Sequence, residues 1–355
     1  MYLPSVISPI IKLTNKCNLS CEFCHYAQIK GCSDMNIELC KNIIKQSVQY
    51  NISSGKSCTR VIFHGGEPLL RGMSFFREIV AYEAILLMEE RYHKIENSIQ
   101  TNGTLLNDEW INFFSQNHFS VGISLDGDEE LNYHKDNVFN LNDIIDNYKK
   151  MRFAGISCGI ISVITSSHTD KARQFYDFCI KHDLDKIGLR YCYTHDSKGS
   201  ISNESLLRFL IEFYGYYYDS IKPLEVREFR ALIQKILMKT TNVCELKDRK
   251  ACGGFLTFDE LGNVFFCDFV YDKNRAVGNI NDKDLYDIIL DENYQHERER
   301  CINNIKLCKQ ECSLYEVCGG GCYRHDNKNG NNYFCPMFKE FYGYIVEDLK
   351  YRKIQ

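Results

Sequence analysis

The chain has 355 residues, enough for two packed units with substantial cores, since single domains commonly contain about 100 to 200 residues. Its 43 basic and 47 acidic side chains leave a formal net charge of -4, so the composition indicates neither a nucleic-acid groove nor a basic membrane-binding face. These values favour a small-molecule or peptide substrate.

The 18 cysteines are unusual for the compartment that the sequence predicts. The N-terminus, MYLPSVISPIIKLTNKC, lacks the basic start, apolar stretch and cleavage site of a secretory signal, and no run of about 18 apolar residues occurs. We therefore expect a cytoplasmic protein with no membrane partner. In that compartment structural disulfides do not persist, and cysteine clusters bind metal or take part in catalysis.

Short apolar runs alternate with amphipathic stretches from residue 8 to about residue 193, a pattern typical of βα units. The predicted strands are 9–13, 60–63, 97–100, 120–125, 158–164 and 186–191. The predicted helices are 36–49, 75–91, 108–116, 141–153, 171–182 and 204–219. Six such repeats predict an α/β fold with a partial, TIM-like parallel (β/α)6 barrel, whose functional residues lie in loops after the carboxyl ends of the strands.

The loop after the first predicted strand contains the sequence KCNLSCEFC, with thiols at Cys17, Cys21 and Cys24. Three thiolates can bind three corners of a [4Fe-4S] cluster and leave the fourth iron open to an external ligand. The same spacing could also belong to a zinc knuckle. The position at the top of a βα barrel favours a catalytic cofactor.

Three further short motifs follow the next predicted strands in order. GGEP occupies residues 65–68 after the second strand, TNG occupies 101–103 after the third, and SLDG occupies 124–127 after the fourth. Together with the cysteine motif, this order resembles the radical S-adenosylmethionine (SAM) superfamily. There the open iron binds SAM, and the reduced cluster cleaves SAM to a 5'-deoxyadenosyl radical.

This resemblance implies a set of SAM contacts in the present chain. In the superfamily an aromatic residue commonly follows the third cysteine, and the glycines of the second motif let the backbone approach the ligand closely. The implied contacts are Tyr26 against the adenine, Gly65, Gly66, Glu67 and Pro68 around the ammonium end of SAM, Ser124 as a polar contact, and Val163 beside the adenine.

After residue 224 the βα alternation stops, and cysteine, glycine and asparagine become frequent between residues 244 and 335. We expect metal ligation to supply much of the folding free energy of this segment. A boundary near residue 225 divides the chain into a barrel, 1–224, and a second unit, 225–355, that ends in a helix.

The cysteines of the second unit resemble the seven-cysteine SPASM domain, which carries auxiliary [4Fe-4S] clusters in radical SAM enzymes that act on peptides and proteins. The matching stretches are CGGFLTFDELGNVFFC, VGNI, CKQECSLYEVCGGGC and FCP. One departure is the spacing between Cys308 and Cys312, which are separated by three residues where the family usually has two. A zinc ribbon is the alternative interpretation.

Two fully ligated auxiliary clusters need eight thiolates, one more than the seven cysteines that match the SPASM pattern. Cys244 is the best candidate for the extra ligand, and Cys301 is its rival. By resemblance, the first auxiliary cluster would use Cys244, Cys252, Cys267 and Cys322, and the second would use Cys308, Cys312, Cys318 and Cys335. The chain would then carry three [4Fe-4S] clusters and bind SAM.

Within the superfamily, the chain resembles the anaerobic sulfatase maturases, which oxidise a Cys or Ser of a sulfatase to formylglycine. The stretches QTNGTLLNDEW, VGISLDG and VFFCDFVYD carry the likeness. In those maturases the aspartate after an auxiliary-cluster cysteine, here Asp268, is proposed to take the substrate proton. A carboxyl of reference pKa about 3.9 is a weak base toward a thiol of about 8.5, so this step needs coupling to the radical oxidation.

Two features depart from the maturase pattern. His64 precedes GGEP where those enzymes commonly carry glutamine near the substrate, and the stretch after SLDG lacks their usual SAM-binding arginine. Both changes fall where substrate or SAM would be held.

We therefore expect post-translational oxidation of a peptidyl side chain, with an auxiliary cluster as the acceptor of the remaining electron. The implied partners are a peptide or protein substrate and an electron donor such as flavodoxin or ferredoxin. One alternative is a maturase that forms thioether or carbon-carbon links in a ribosomally made precursor peptide. Another is a non-catalytic metal-binding scaffold, which an assay of SAM turnover would distinguish from an enzyme.

Overall fold

A computed structural model describes residues 2–24, 33–132, 134–135, 140–193, 199–268, 272–327 and 329–352. Its strands are β1 (Ile10–Lys12), β2 (Ser20–Cys21), β3 (Cys58–His64), β4 (Lys94–Thr101), β5 (Ser120–Ser124), β6 (His134–Lys135), β7 (Cys158–Ile164), β8 (Lys186–Tyr191), β9 (Glu225–Val226), β10 (Thr257–Phe258), β11 (Asn263–Phe265) and β12 (Ala276–Asn279).

The α-helices alternate with the strands in the first part of the chain and cluster near its end. They are α1 (Ile37–Ser53), α2 (Gly72–Glu89), α3 (Asp108–Gln116), α4 (Leu141–Phe153), α5 (Ala172–His182), α6 (Asn203–Asp219), α7 (Arg227–Met238), α8 (Leu285–Leu290), α9 (Glu292–Asn303), α10 (Lys306–Glu311), α11 (Tyr315–Cys318) and α12 (Cys335–Tyr351).

One ten-stranded sheet organises the molecule, in the order β12-β11-β10-β1-β3-β4-β5-β7-β8-β9. All neighbours from β10 to β9 are parallel, whereas β10, β11 and β12 pair antiparallel. Parallel pairing brings the carboxyl ends of the barrel strands to one edge of the sheet. The short strands β2 and β6 form a separate antiparallel pair.

Local sequence explains the barrel elements. In β7, CGIISVI, every second residue is buried, as expected for a strand with one face against the core. Helix α3 begins after Asn107, whose side chain accepts a hydrogen bond from the backbone N–H of Trp110. The Trp110 ring then packs on Phe76 and Phe114 at centroid distances of 5.4 and 5.5 Å, and such contacts hold the helical layer on the sheet.

The predicted fold class, an α/β partial barrel followed by a cysteine-rich region, is confirmed. Each of the six predicted strands and six predicted helices corresponds to an observed element, with shifts of up to about four residues at the ends. Helix α7 and strands β10 to β12 were not predicted. Strand β10 has only two residues, and it continues the sheet because it pairs with β1.

Among the described residues, no helix is long and apolar enough to cross a membrane.

Candidate active site

The first cysteine loop leaves β1 at the carboxyl edge of the sheet and carries Cys17, Cys21 and Cys24. Its outer half is fixed by the pairing of β2 with β6 and by a hydrogen bond from the Cys24 N–H to the Cys21 carbonyl. The Asn102 side-chain amide donates to the Cys17 sulfur at 3.7 Å. Burial and the nearby thiols raise the pKa of Cys21, so deprotonated thiols here need a positive partner.

The loop that contains GGEP packs directly against the first cysteine loop. Gly66 N–H donates to the Thr14 carbonyl, and Glu67 N–H donates to the Lys16 carbonyl, both at 2.8 Å. A Cβ on Gly66 would lie 1.9 Å from the Lys16 oxygen, and one on Gly65, where φ is +131°, would lie 2.4 Å from the Thr14 oxygen. The glycines are therefore required for contact between two loops, in addition to any approach to a ligand.

Glu67 joins the GGEP loop to the TNG loop. Its fully buried carboxylate accepts hydrogen bonds from the Thr101 hydroxyl at 2.8 Å, the Asn102 N–H at 2.7 Å and the Leu69 N–H at 3.0 Å. Burial raises the pKa of Glu67 to about 7, although these hydrogen bonds oppose the shift. Pro68 then begins a short 3₁₀ helix. Glu67 thus holds two motif loops in one position.

The fourth and fifth barrel strands end beside the same loops. Ser124 accepts a hydrogen bond from the Gln100 side chain at 2.8 Å. The backbone N–H of Val163 donates to Asp126 at 2.7 Å. Asp126 belongs to SLDG but was not predicted as a site residue. Burial raises the pKa of this carboxyl to about 7, and it interacts electrostatically with Cys21. Tyr26 lies outside the described residues.

The second group of thiols lies at the ends of short elements in the second part of the chain. Cys244, Cys252, Cys267 and Cys322 come from separate segments, and each interacts electrostatically with others of the group. Burial, reinforced by neighbouring thiols, raises the pKa of Cys244 and of Cys267 to about 12. The structure therefore brings these four predicted ligands together.

The third group of thiols lines a cavity of about 250 Å³. Cys308, Cys312, Cys318 and Cys335 all face this space and interact with one another electrostatically. Burial and the other three thiols raise the pKa of Cys308 to about 11. Apolar side chains such as Phe338 complete the wall.

A buried ion pair stabilises the segments that carry these thiols. The Arg249 guanidinium, 1% exposed, donates to both oxygens of Asp326 at 2.5 and 2.6 Å. It also donates to the carbonyls of Gly320 and Gly321, both at 2.9 Å. No local sequence pattern marks this arginine, so its role was not predicted.

Asp268 follows Cys267 and lies between two positive side chains. Lys12, at the end of β1, contacts one of its oxygens at 2.9 Å, and Arg324 contacts the other at 3.4 Å. Burial by itself would raise the pKa of Asp268, but these charges hold it well below its usual range. The neighbouring His64 is neutral at pH 7, because burial and Lys12 lower its pKa to about 3.

The three groups of thiols fit iron-sulfur clusters. Among the described residues, no three Cys, His, Asp or Glu side chains converge closely enough to hold one metal ion. A four-iron cluster is wider than a single ion and spans thiolates that lie farther apart. Its irons would also supply the positive charge that keeps several neighbouring, partly buried thiols deprotonated.

Comparison with known proteins gives concordant results. Residues 11–179 match the family model of the Radical SAM superfamily. The chain is 28% identical to a cysteine-type anaerobic sulfatase-maturating enzyme of Clostridium perfringens, over 97% of each protein. It is 22% identical to a serine-type anaerobic sulfatase-maturating enzyme of Bacteroides thetaiotaomicron, over 95% of this chain and 88% of that protein.

The fold is similar to that of a solved structure of native anSMEcpe with bound AdoMet and the Cp18Cys peptide. The TM-score is 0.85 at 24% identity, over 98% of this chain and 99% of that chain.

The cysteine loop, its supporting motifs and the family match together define a radical SAM enzyme. Residues 11–179 match the radical SAM superfamily, and the chain is a homologue of the anaerobic sulfatase-maturating enzymes. The predicted resemblance and the prediction of an enzyme are confirmed. The radical SAM match over residues 11–179 implies a [4Fe-4S] cluster and SAM as cofactors.

Proposed function

We propose that this enzyme oxidises a cysteine of a sulfatase to formylglycine. The observation that carries the proposal is relatedness over 97% of the chain to an enzyme named a cysteine-type anaerobic sulfatase-maturating enzyme. Serine-type relatives are less similar, at 22 and 25% identity, so cysteine is the proposed target. A peptide-bound solved structure with the same fold supports a peptidyl substrate.

Three clusters are proposed. Cys17, Cys21 and Cys24 hold the one that binds SAM; the group of Cys244, Cys252, Cys267 and Cys322 holds the first auxiliary cluster; the group of Cys308, Cys312, Cys318 and Cys335 holds the second. Bound SAM and its cluster supply the 5'-deoxyadenosyl radical that removes a hydrogen atom from the substrate.

Side chains and loops of the protein itself position SAM. Gly65, Gly66, Glu67 and Pro68 form the loop that faces the amino end of SAM, Ser124 is a polar contact, and Tyr26 and Val163 flank the adenine. The hydrogen bonds from the TNG loop keep the Glu67 carboxylate in one orientation before SAM binds. Such preorganisation places the reacting atoms without a further ordering cost.

Asp268 is the proposed acceptor of the substrate thiol proton. Lys12 and Arg324 keep it ionised, which makes it available as an acceptor and also makes it a weak base. It therefore takes the proton only as the substrate carbon radical is oxidised, since loss of an electron makes the thiol far more acidic. Loss of the electron and the thiol proton would leave a thioaldehyde, which water would hydrolyse to the aldehyde with release of hydrogen sulfide. A cluster held by Cys267 and its group would supply the electron acceptor.

Three further assignments complete the proposal. Residues 1–224 form the SAM-cleaving unit and residues 225–355 the auxiliary-cluster unit. An external donor such as flavodoxin or ferredoxin reduces the SAM cluster. The protein works in the cytoplasm, where reducing conditions keep thiols available for iron.

Metal content and SAM cleavage test the cluster assignment. Anaerobically reconstituted wild type should hold about twelve irons, and the triple variant Cys17→Ala/Cys21→Ala/Cys24→Ala should hold about eight and release no 5'-deoxyadenosine. Zinc in place of iron, or SAM cleavage by the triple variant, would refute it.

Product analysis tests the reaction. A sulfatase peptide with a central cysteine should yield an aldehyde that reacts with hydrazide probes, whereas the same peptide with alanine at that position should yield none. Appearance of an internal thioether or carbon-carbon link in place of the aldehyde would favour a precursor-peptide maturase.

A further inference from the structure

The TNG loop contacts the first cysteine loop through the side chain of Asn102, the residue that follows β4. The amide nitrogen of Asn102 donates to the Cys17 sulfur at 3.7 Å and to the side-chain oxygen of Asn18 at 2.9 Å. The longer distance to Cys17 reflects the larger radius of sulfur. Asn102 thus places a hydrogen-bond donor on a proposed ligand of the cluster that binds SAM.

A closed ring of hydrogen bonds fixes the orientation of this amide. The backbone N–H and the hydroxyl of Thr104 donate to the side-chain oxygen of Asn102 at 3.0 and 2.7 Å. The Thr104 hydroxyl in turn accepts from the Asn18 side-chain amide at 2.7 Å. The reverse orientation of Asn102 would set its amino group against the Thr104 N–H, donor against donor. The amino group of Asn102 therefore points at Cys17 and Asn18.

The other bonds around this contact use backbone groups. The Cys17 sulfur accepts a second hydrogen bond, from the backbone N–H of Leu19 at 3.4 Å. The backbone N–H of Asn102 donates to the Glu67 carboxylate at 2.7 Å, so the position of residue 102 does not depend on its side chain. A change of the Asn102 side chain therefore removes one donor to Cys17 and retains the bond to the GGEP loop.

We propose that Asn102 donates an N–H hydrogen bond to the iron-bound sulfur of Cys17 and so raises the reduction potential of the cluster that binds SAM. The inference rests on the proposed assignment of Cys17 to that cluster. A hydrogen bond to a ligand sulfur withdraws electron density and stabilises the reduced, more negative state. Asn102 is a positioning residue that acts through Cys17 and makes the cluster easier for an external donor to reduce.

The test is a redox titration of the full chain without SAM, monitored by electron paramagnetic resonance. The variant Cys17→Ala/Cys21→Ala/Cys24→Ala shows which midpoint potentials belong to the auxiliary clusters. The midpoint that this variant lacks belongs to the cluster that binds SAM.

Two substitutions remove the donor in different ways. Asn102→Leu is neutral and similar in size, so the leucine side chain also keeps water from replacing the amide. Asn102→Asp keeps an oxygen that accepts from the N–H and hydroxyl of Thr104. Thr104→Val is the matched control, because it disturbs the same turn and leaves the amide nitrogen of Asn102 beside Cys17.

We expect both donor-free variants to keep about twelve irons and to lower only the midpoint of the cluster that binds SAM. For Asn102→Leu the expected change in the ratio of oxidised to reduced cluster is roughly three- to tenfold, where tenfold equals about 59 mV for a one-electron couple. Asn102→Asp should lower this midpoint at least as much, because its negative charge also opposes reduction. Thr104→Val should retain all wild-type midpoints.

Three results would overturn the inference. The first is an unchanged midpoint in the fully loaded Asn102→Leu protein. The second is an equal decrease in Thr104→Val, which would assign the effect to the turn. The third is loss of about four irons from both donor-free variants, which would limit Asn102 to assembly of the loop. Failure of the underlying assignment has a different signature, since the triple cysteine variant would then keep about twelve irons.

Discussion

Replacement of Gly66 by alanine should disable SAM cleavage while the auxiliary clusters remain intact. The added Cβ would lie 1.9 Å from the Lys16 carbonyl oxygen, and ordinary contact begins at 3.4 Å, so the two loops must separate by about 1.5 Å. That movement strains two hydrogen bonds between the loops, worth about 1 kcal/mol each. Misplacement of a reacting group by about 1 Å commonly costs about 100-fold in rate.

The assay measures 5'-deoxyadenosine release under anaerobic, reducing conditions, together with iron content and circular dichroism. We expect at least about a 100-fold lower rate, because the first cysteine loop moves away from the GGEP loop. Gly215→Ala is the matched control, since a Cβ at that position in α6 meets nothing within 4 Å. A Gly66→Ala enzyme with the wild-type rate and iron content would show that the contact between these loops does not position SAM.

Three further substitutions test the packing around the site. Burial raises the pKa of Glu83 from 4.5 to about 7, so its folded form binds the extra proton and stability falls as pH rises through this range. Urea unfolding of the wild type should give a free energy of unfolding about 3 kcal/mol lower at pH 8.5 than at about pH 4.5, and Glu83→Gln should abolish this difference. Equal pH profiles for the two proteins would contradict this. Asp326→Asn leaves the Arg249 charge buried without its partner and should lower the free energy of unfolding by about 3 to 5 kcal/mol. The measurement is the melting temperature, which should fall, and an unchanged melting temperature would refute the estimate. Thr101→Val removes a donor to the GGEP carboxylate and should weaken SAM binding about tenfold by calorimetry. Thr257→Val is the control. The Thr257 hydroxyl is buried and has no partner among the described residues, so its removal should leave SAM binding unchanged.

The barrel was predictable because its signals are local. Strand β7 follows an alternation of buried residues with period two, and α3 has a capping asparagine and an apolar face within a dozen residues. The order of the cysteine motif, GGEP, TNG and SLDG after successive strands placed them at one edge, since parallel strands share a direction. These features require no knowledge of distant contacts.

The second part of the chain lacks such local signals. Strand β10 is two residues long, and its place in the sheet depends on pairing with Ile10 and Ile11, about 250 residues earlier. The spacing favoured Cys244 as the eighth ligand and left Cys301 as its rival. In the tertiary structure Cys244 interacts electrostatically with Cys252 and Cys322, and Cys301 is fully buried on helix α9.

The sequence by itself thus determined the barrel and the type of cofactor, and it supplied the cysteines that we propose as cluster ligands, because helix and strand periodicity and ligand spacing are properties of short segments. Only the tertiary structure decided which charges surround Asp268 and that Arg249 pairs with Asp326. It also showed that the Lys16 carbonyl leaves no room for a side chain at Gly66. Each of these is a contact between residues far apart in the chain, and the folded core, rather than local preference, brings such residues together.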